Sequence, residues 1–167
     1  MRLRSADRPR AARHLRGCGR SRNVVGVHDA PGSRLRILMA HADSMPHTPG
    51  ALDDASGVGA LLELAPRLAR LAPRCDVWLG ATGAEERLYT ASPDHLGAAA
   101  LVRQLRALHR RSDLEPALSL DEVGRGRRME LRSPNRCRHE PCDTAAKLTR
   151  TTFGRVRRLA ERLLAGG

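Results

Sequence analysis

The chain has 167 residues, enough for one domain with its own core, and carries a formal net charge of +12. Its apolar fraction is 41%, but the aromatic residues are only Trp78, Tyr89 and Phe153, so the core must rest on Leu, Val and Ala. There is no run of about 18 apolar residues, which argues against a membrane-spanning helix. The basic excess also lacks the aromatic residues that stack on bases, so it reads as solvated Arg rather than a nucleic-acid-binding module.

Residues 1–22 hold eight Arg against one Asp and read as a basic lead-in, helical or disordered, ahead of a domain at 23–167. The start, Met1 to Asp7, is positive but has no apolar stretch of the signal-peptide kind, so a cytoplasmic protein is expected if Met1 is the true start. Asn23–Val27 and Leu35–Met39 read as strands. The turn chemistry of Asp29-Ala-Pro-Gly-Ser33 between them predicts an antiparallel hairpin. Residues 42–53 contain Pro46, Pro49 and Gly50 and predict a loop. A helix is expected from Asp53-Asp54 onward, because Val58, Leu61, Leu62, Ala65, Leu68 and Leu71 recur at helical spacing and Pro73 closes the run.

Cys75–Leu79 reads as the next strand, and Gly80-Ala-Thr-Gly83 leads from it to Glu85-Glu86. A helix over Pro93–Arg111, a strand at Ala117–Leu120 and a further strand at Met129–Leu131 follow. The chain closes with an amphipathic helix marked by Val156, Leu159, Ala160, Leu163 and Leu164. Strands alternating with helices predict an α/β fold with a mixed, mostly parallel sheet flanked by helices, in which ligands collect at the carboxyl ends of the strands.

Residues suited to binding metal stand at those strand ends: His41, Glu86 and Asp121, with Asp53 at the helix start and His139 further on. From Ile37 to Pro66 there is no Lys or Arg, while Asp43, Asp53, Asp54 and Glu63 fall there, a local acidic window suited to a cation. Amide hydrolysis needs an activated water and stabilisation of developing charge, which two zinc ions can supply through mixed imidazole and carboxylate ligands. A general base that is not itself a ligand is also needed, and the Glu85-Glu86 doublet offers one carboxylate for each task. In His41-Ala-Asp43 the spacing lets Asp43 orient the imidazole. Asp53-Asp54 could instead be simple helix capping. Cys137 and Cys142 bracket His139 and read first as a small disulfide loop, with free thiols or a local zinc cluster as the alternatives.

These segments resemble the co-catalytic zinc aminopeptidase family that includes bacterial leucyl aminopeptidases, glutamate carboxypeptidases and glutaminyl cyclases. The resemblance runs from about Asn23 to Ala165. It rests on Asn-Val-Val-Gly, His-x-Asp-Ser, Gly-Ala-x-Asp-Asp-x-Ser-Gly, Gly-Ala-Glu-Glu, Leu-Asp-x-Val-Gly and His-x-x-x-Asp-Thr, in that order. It implies a three-layer α/β/α fold and two zinc ions, Asp53 bridging them, His41 and Asp121 completing one site, Glu86 and His139 the other. It further implies Glu85 as the general base, Asp43 as the residue holding the His41 tautomer, and a cis peptide between Asp53 and Asp54. The Cys137–Cys142 disulfide and a secreted location follow from its actinobacterial members. Only 17 residues separate Asp121 from His139, where the family has several dozen more, so the fold is expected to be truncated there. The expected activity is removal of N-terminal residues from peptides. An inactive zinc-binding member, a glutaminyl cyclase-like enzyme and a basic nucleic-acid-binding module are the alternatives.

Overall fold

The computed structural model describes residues 2–4, 18–86, 95–125 and 141–165. Cys137, His139 and the strand expected at Met129–Leu131 lie outside the described residues. In the basic lead-in, β1 (Arg2–Arg4) pairs antiparallel with β2 (Cys18–Arg20), so residues 2–4 and 18–20 are strand.

The main sheet has four strands in the order β3-β5-β4-β6. They are β3 (Val24–His28), β4 (Leu35–His41), β5 (Asp76–Thr82) and β6 (Leu114–Ser119). β4 runs parallel to β5 and to β6, and β3 is antiparallel to β5, the mixed and mostly parallel sheet that the sequence predicts. The expected β3–β4 hairpin does not form, because β5 lies between the two strands. β4 and β5 are buried along nearly their whole length and take the centre, where both faces are covered. β3 is largely exposed and is left at the edge. The turn at 29–33 therefore steps over one strand position instead of closing a hairpin.

One face of the sheet is covered by α1 (Ser56–Leu64), α2 (Leu68–Leu71) and α4 (Arg150–Ala165). There Leu38, Val77, Leu79, Leu61, Leu64, Leu68, Val156, Ala160 and Leu164 form the larger core. On the other face α3 (Leu96–Ala107) sets Leu105 against Leu35, Ile37 and Trp78. The apolar stripe expected of the first helix needs correction. Leu64 is fully buried, whereas Leu62 is 70% exposed and Ala65 is also exposed. Pro66, which has no N–H to donate, tightens residues 65–67 into a 3₁₀ turn between α1 and α2, and Ala72 ends α2 in the left-handed region. In α4 the buried row is Thr152, Val156, Ala160 and Leu164 at a spacing of four, and Leu159 faces outward. Buried Arg36 of β4 holds the end of α4 by donating to the Leu163 and Leu164 carbonyls and to Glu115 Oε2.

Candidate metal centre

Each parallel strand delivers a polar residue to the same end of the sheet. His41 is the last residue of β4, Asp121 follows β6 by two positions, and Glu85 and Glu86 follow β5. Between Thr82 and Glu85 the chain turns through Ala84 at φ 56°, a left-handed conformation that redirects the backbone. The Asp43 carboxylate then pins the acidic doublet by its main chain, accepting the Glu85 N–H at 3.1 and 3.0 Å and the Glu86 N–H at 3.0 Å.

Asp53 and Asp54 sit in the turn Ala51–Ala55 with φ/ψ of −110°/90° and −134°/38°, so regular helix begins only at Ser56. The peptide between them is cis, as the family resemblance implies. The two acids divide the work. Asp54 caps the helix by accepting the Gly57 N–H at 2.8 Å and also accepts the His41 N–H at 3.2 Å. Asp53 turns the other way and sets its Oδ1 2.8 Å from His41 Nε2.

The candidate donor atoms of His41, Asp53 and Asp121 lie within 4.8 Å of one another, and so do those of His41, Glu85 and Glu86. His41, Asp53 and Glu86 are buried, and Asp121 stands at the open side. Four of the five residues expected to bind metal are thus together; the fifth, His139, is outside the described residues. Asp43 orients His41 differently from expectation. Its main-chain carbonyl lies 2.8 Å from His41 Nδ1, while its carboxylate is 3.8 Å away and is occupied by the Glu85 and Glu86 amides. Cys142 is disulfide-bonded, and Cys75 is a buried free thiol.

This donor set fits zinc. Its atoms are nitrogen and carboxylate oxygen, and His41 Nε2 lies 2.8 Å from Asp53 Oδ1 and 3.9 Å from Asp121 Oδ1. Those distances bracket the ~3.3 Å separating two ligands bonded to one tetrahedral zinc at about 2.0–2.1 Å. The electrostatics agree. Burial alone would push the His41 imidazole down, but its hydrogen bond to Asp53 and the charges of Asp54 and Glu85 push it up to about 10. Burial, followed by the Asp121 charge, raises Asp54 to about 8. Burial, with Asp53 and Glu85 beside it, raises Glu86 to about 7. Without a cation, protons neutralise the crowded carboxylates.

These shifts make metal-free stability depend on pH. All three groups hold protons more tightly when folded than when unfolded. For Asp54 the window runs from 3.8 to about 8, for Glu86 from 4.5 to about 7, and for His41 from 6.5 to about 10. In each window the folded state binds more protons, so metal-free stability falls as pH rises. Thermal unfolding in chelator is expected to show a lower midpoint at about pH 8.5 than at about pH 5.5. Zinc, which binds the deprotonated ligands, is expected to offset that fall.

Sequence reasoning missed three supporting residues. Asn23 accepts the Gly83 N–H at 3.2 Å and donates to the Gly97 carbonyl at 2.8 Å, tying the end of β5 to the start of α3. His95, which precedes α3, places Nδ1 2.6 Å from Glu85 Oε1. Asp143 lies fully buried beneath the Asp53 turn. Asn23 and Asp143 stand within the Asn-Val-Val-Gly and His-x-x-x-Asp-Thr motifs, which was the available signal. His95 stands in no motif.

The model of Peptidase family M28 matches residues 23–135. The uncharacterized protein YfbL of Escherichia coli (strain K12) is 38% identical over 89 residues, which is 48% of this chain and 27% of that protein. Among solved structures, a zinc aminopeptidase from Bacillus subtilis superposes with a TM-score of 0.66 at 20% identity, covering 83% of this chain and 48% of that one. A glutaminyl cyclase from Bacteroides thetaiotaomicron gives 0.74 at 17% identity, with 91% and 80% covered. A leucine aminopeptidase precursor from the same species gives 0.70 at 17%, with 92% and 78% covered. These likenesses show the fold. The chain spans about a quarter of the E. coli relative and about half of the B. subtilis enzyme.

Proposed function

The chain belongs to peptidase family M28, and from that premise we propose that it is a zinc-dependent aminopeptidase that releases the N-terminal residue of peptides. The observation that carries the reading is the convergence of His41, Asp53, Glu85, Glu86 and Asp121 at the carboxyl end of the parallel strands. His41 and Asp121 would hold one zinc, Glu86 and His139 a second, and the Asp53 carboxylate would serve both. Bound there, zinc supplies Lewis-acid polarisation of the scissile carbonyl and a lowered pKa for water.

The chain's own residues do the rest. The Asp43 carbonyl next to His41 Nδ1 sets the tautomer that leaves Nε2 facing the site. The Asp43 carboxylate fixes the backbone of Glu85, so that the Glu85 side chain can take a proton from the attacking water and return it to the leaving amine. Asp143, which shares the His-x-x-x-Asp-Thr motif with His139, accepts the Leu52 and Asp53 N–H groups and so holds the turn that presents Asp53. The likeness to glutaminyl cyclases supports a second reading, cyclisation of an N-terminal Gln on the same frame.

The test is hydrolysis of aminoacyl-nitroanilides and of free-amine peptides by the zinc-loaded chain, beside conversion of an N-terminal Gln peptide. Release of the N-terminal residue that stops with chelator is the expected result. Cyclisation without hydrolysis would select the second reading, and turnover that survives metal removal would defeat both.

A further inference from the structure

Asp143 is fully buried, and both of its carboxylate oxygens are used. Oδ1 accepts the Leu52 N–H at 2.9 Å and Oδ2 accepts the Asp53 N–H at 3.0 Å, while its carbonyl accepts the Ala51 N–H at 3.3 Å. A buried carboxylate is costly unless hydrogen-bonded, and here its partners are consecutive amides of the turn that presents Asp53. The same segment grips a second turn of the site. The Thr149 N–H donates to the Gly124 carbonyl at 2.8 Å. A Cβ at Gly124 would lie 2.3 Å from Leu148 Cδ2, so Leu148 occupies the space left by that glycine, three residues past Asp121. Residues 143–149 thus staple the Asp53 turn to the turn that follows Asp121.

We propose that Asp143 is a positioning residue for metal binding: by fixing the main chain of Leu52 and Asp53, it aims the Asp53 carboxylate at His41 and Asp121 and sets the zinc affinity without touching the metal. The inference rests on the zinc reading of the site given under Proposed function. Asp143→Asn is the informative change, because an amide keeps one acceptor oxygen and turns an NH₂ toward the other backbone N–H. Competitive titration of the full chain with zinc against a chromophoric chelator is expected to show affinity about 10–100-fold weaker in D143N, with the circular dichroism of a folded chain. Leu64→Ala, which removes fully buried core volume away from the site, is expected to lower stability and keep wild-type zinc affinity. Equal loss of affinity in L64A would make Asp143 merely structural and overturn the proposal. So would unchanged affinity in a folded D143N.

If D143N does not fold, the wild-type chain decides. Coupling between zinc and these hydrogen bonds is reciprocal, so exchange protection of the Leu52 and Asp53 amides should rise about tenfold or more on adding zinc. Protection that zinc does not move overturns the proposal. A wild-type chain that binds no zinc defeats the reading of the site itself, an outcome distinct from the failure of Asp143 alone.

Discussion

Replacement of Glu85 by Gln is expected to lower kcat for aminoacyl-nitroanilide hydrolysis by about 10²–10⁴-fold while the zinc content stays unchanged. Gln matches Glu in size and keeps a carbonyl oxygen, but it cannot accept and return a proton. The Glu85 main chain is clamped by Asp43 and would stay in place, since those bonds use its N–H and not its side chain. The Glu85 side chain is 17% exposed, open enough to meet a water, and its Oε1 faces His95 Nδ1 at 2.6 Å. The loss should therefore fall on kcat more than on KM. Zinc counted per chain in the same preparation separates a missing base from a missing metal. Undiminished kcat in a zinc-loaded E85Q protein would remove Glu85 from the role.

Gly57→Ala is expected to destabilise the fold by about 3 kcal/mol or more, through overpacking against backbone. An added Cβ would lie 1.9 Å from the Leu120 carbonyl oxygen and 2.5 and 2.6 Å from the two Asp54 carboxylate oxygens. None of these can step aside cheaply. Leu120 is held to Met39 by a 2.7 Å hydrogen bond, and Asp54 caps α1 and receives the His41 N–H. The helix would have to retreat from the sheet and take the Asp53 turn with it, so zinc binding should weaken along with stability. Gly59→Ala is the control. Among the described residues its Cβ would meet only Phe153 Cε1, at 3.9 Å, and the substitution should gain up to about 1 kcal/mol from helix propensity. Thermal unfolding of the two variants side by side checks both. A Gly57→Ala protein as stable as Gly59→Ala would mean that the close approach of α1 to Leu120 is not needed.

The parts that could be read from the sequence are those written in local periodicity. β4 and β5 announce themselves as apolar runs, and the polar residue ending each strand falls where α/β sheets gather ligands. His41, Glu86 and Asp121 were accessible in that way. The motif order added Asp53 and the cis peptide. What escaped depends on partners distant in the chain. The turn chemistry at 29–33 describes a change of direction, not which strand arrives alongside, and β5 enters from beyond β4 and the first helices to displace the hairpin. Asp143 meets its amides across 90 residues and Asn23 meets Gly83 across 60, and no spacing rule reaches that far. The spacing sets Asp43 beside His41, but it does not tell that the Asp43 carbonyl faces the imidazole while the carboxylate takes the Glu85 and Glu86 amides, partners more than 40 residues away. Leu64 shows the same limit within one helix, where the helical repeat fits several phases and packing against the sheet selects one.

The proposed mechanism requires that this donor set, with His139 brought to it, holds zinc. Equilibrium dialysis of the chelator-stripped full chain against zinc, with bound metal counted per chain, tests that requirement most directly. Two zinc ions per chain are expected in the wild type, one in His139→Ala, and loss of tight binding in Asp53→Ala. A wild-type chain that takes up no zinc, or an Asp53→Ala chain that keeps both ions, would contradict it.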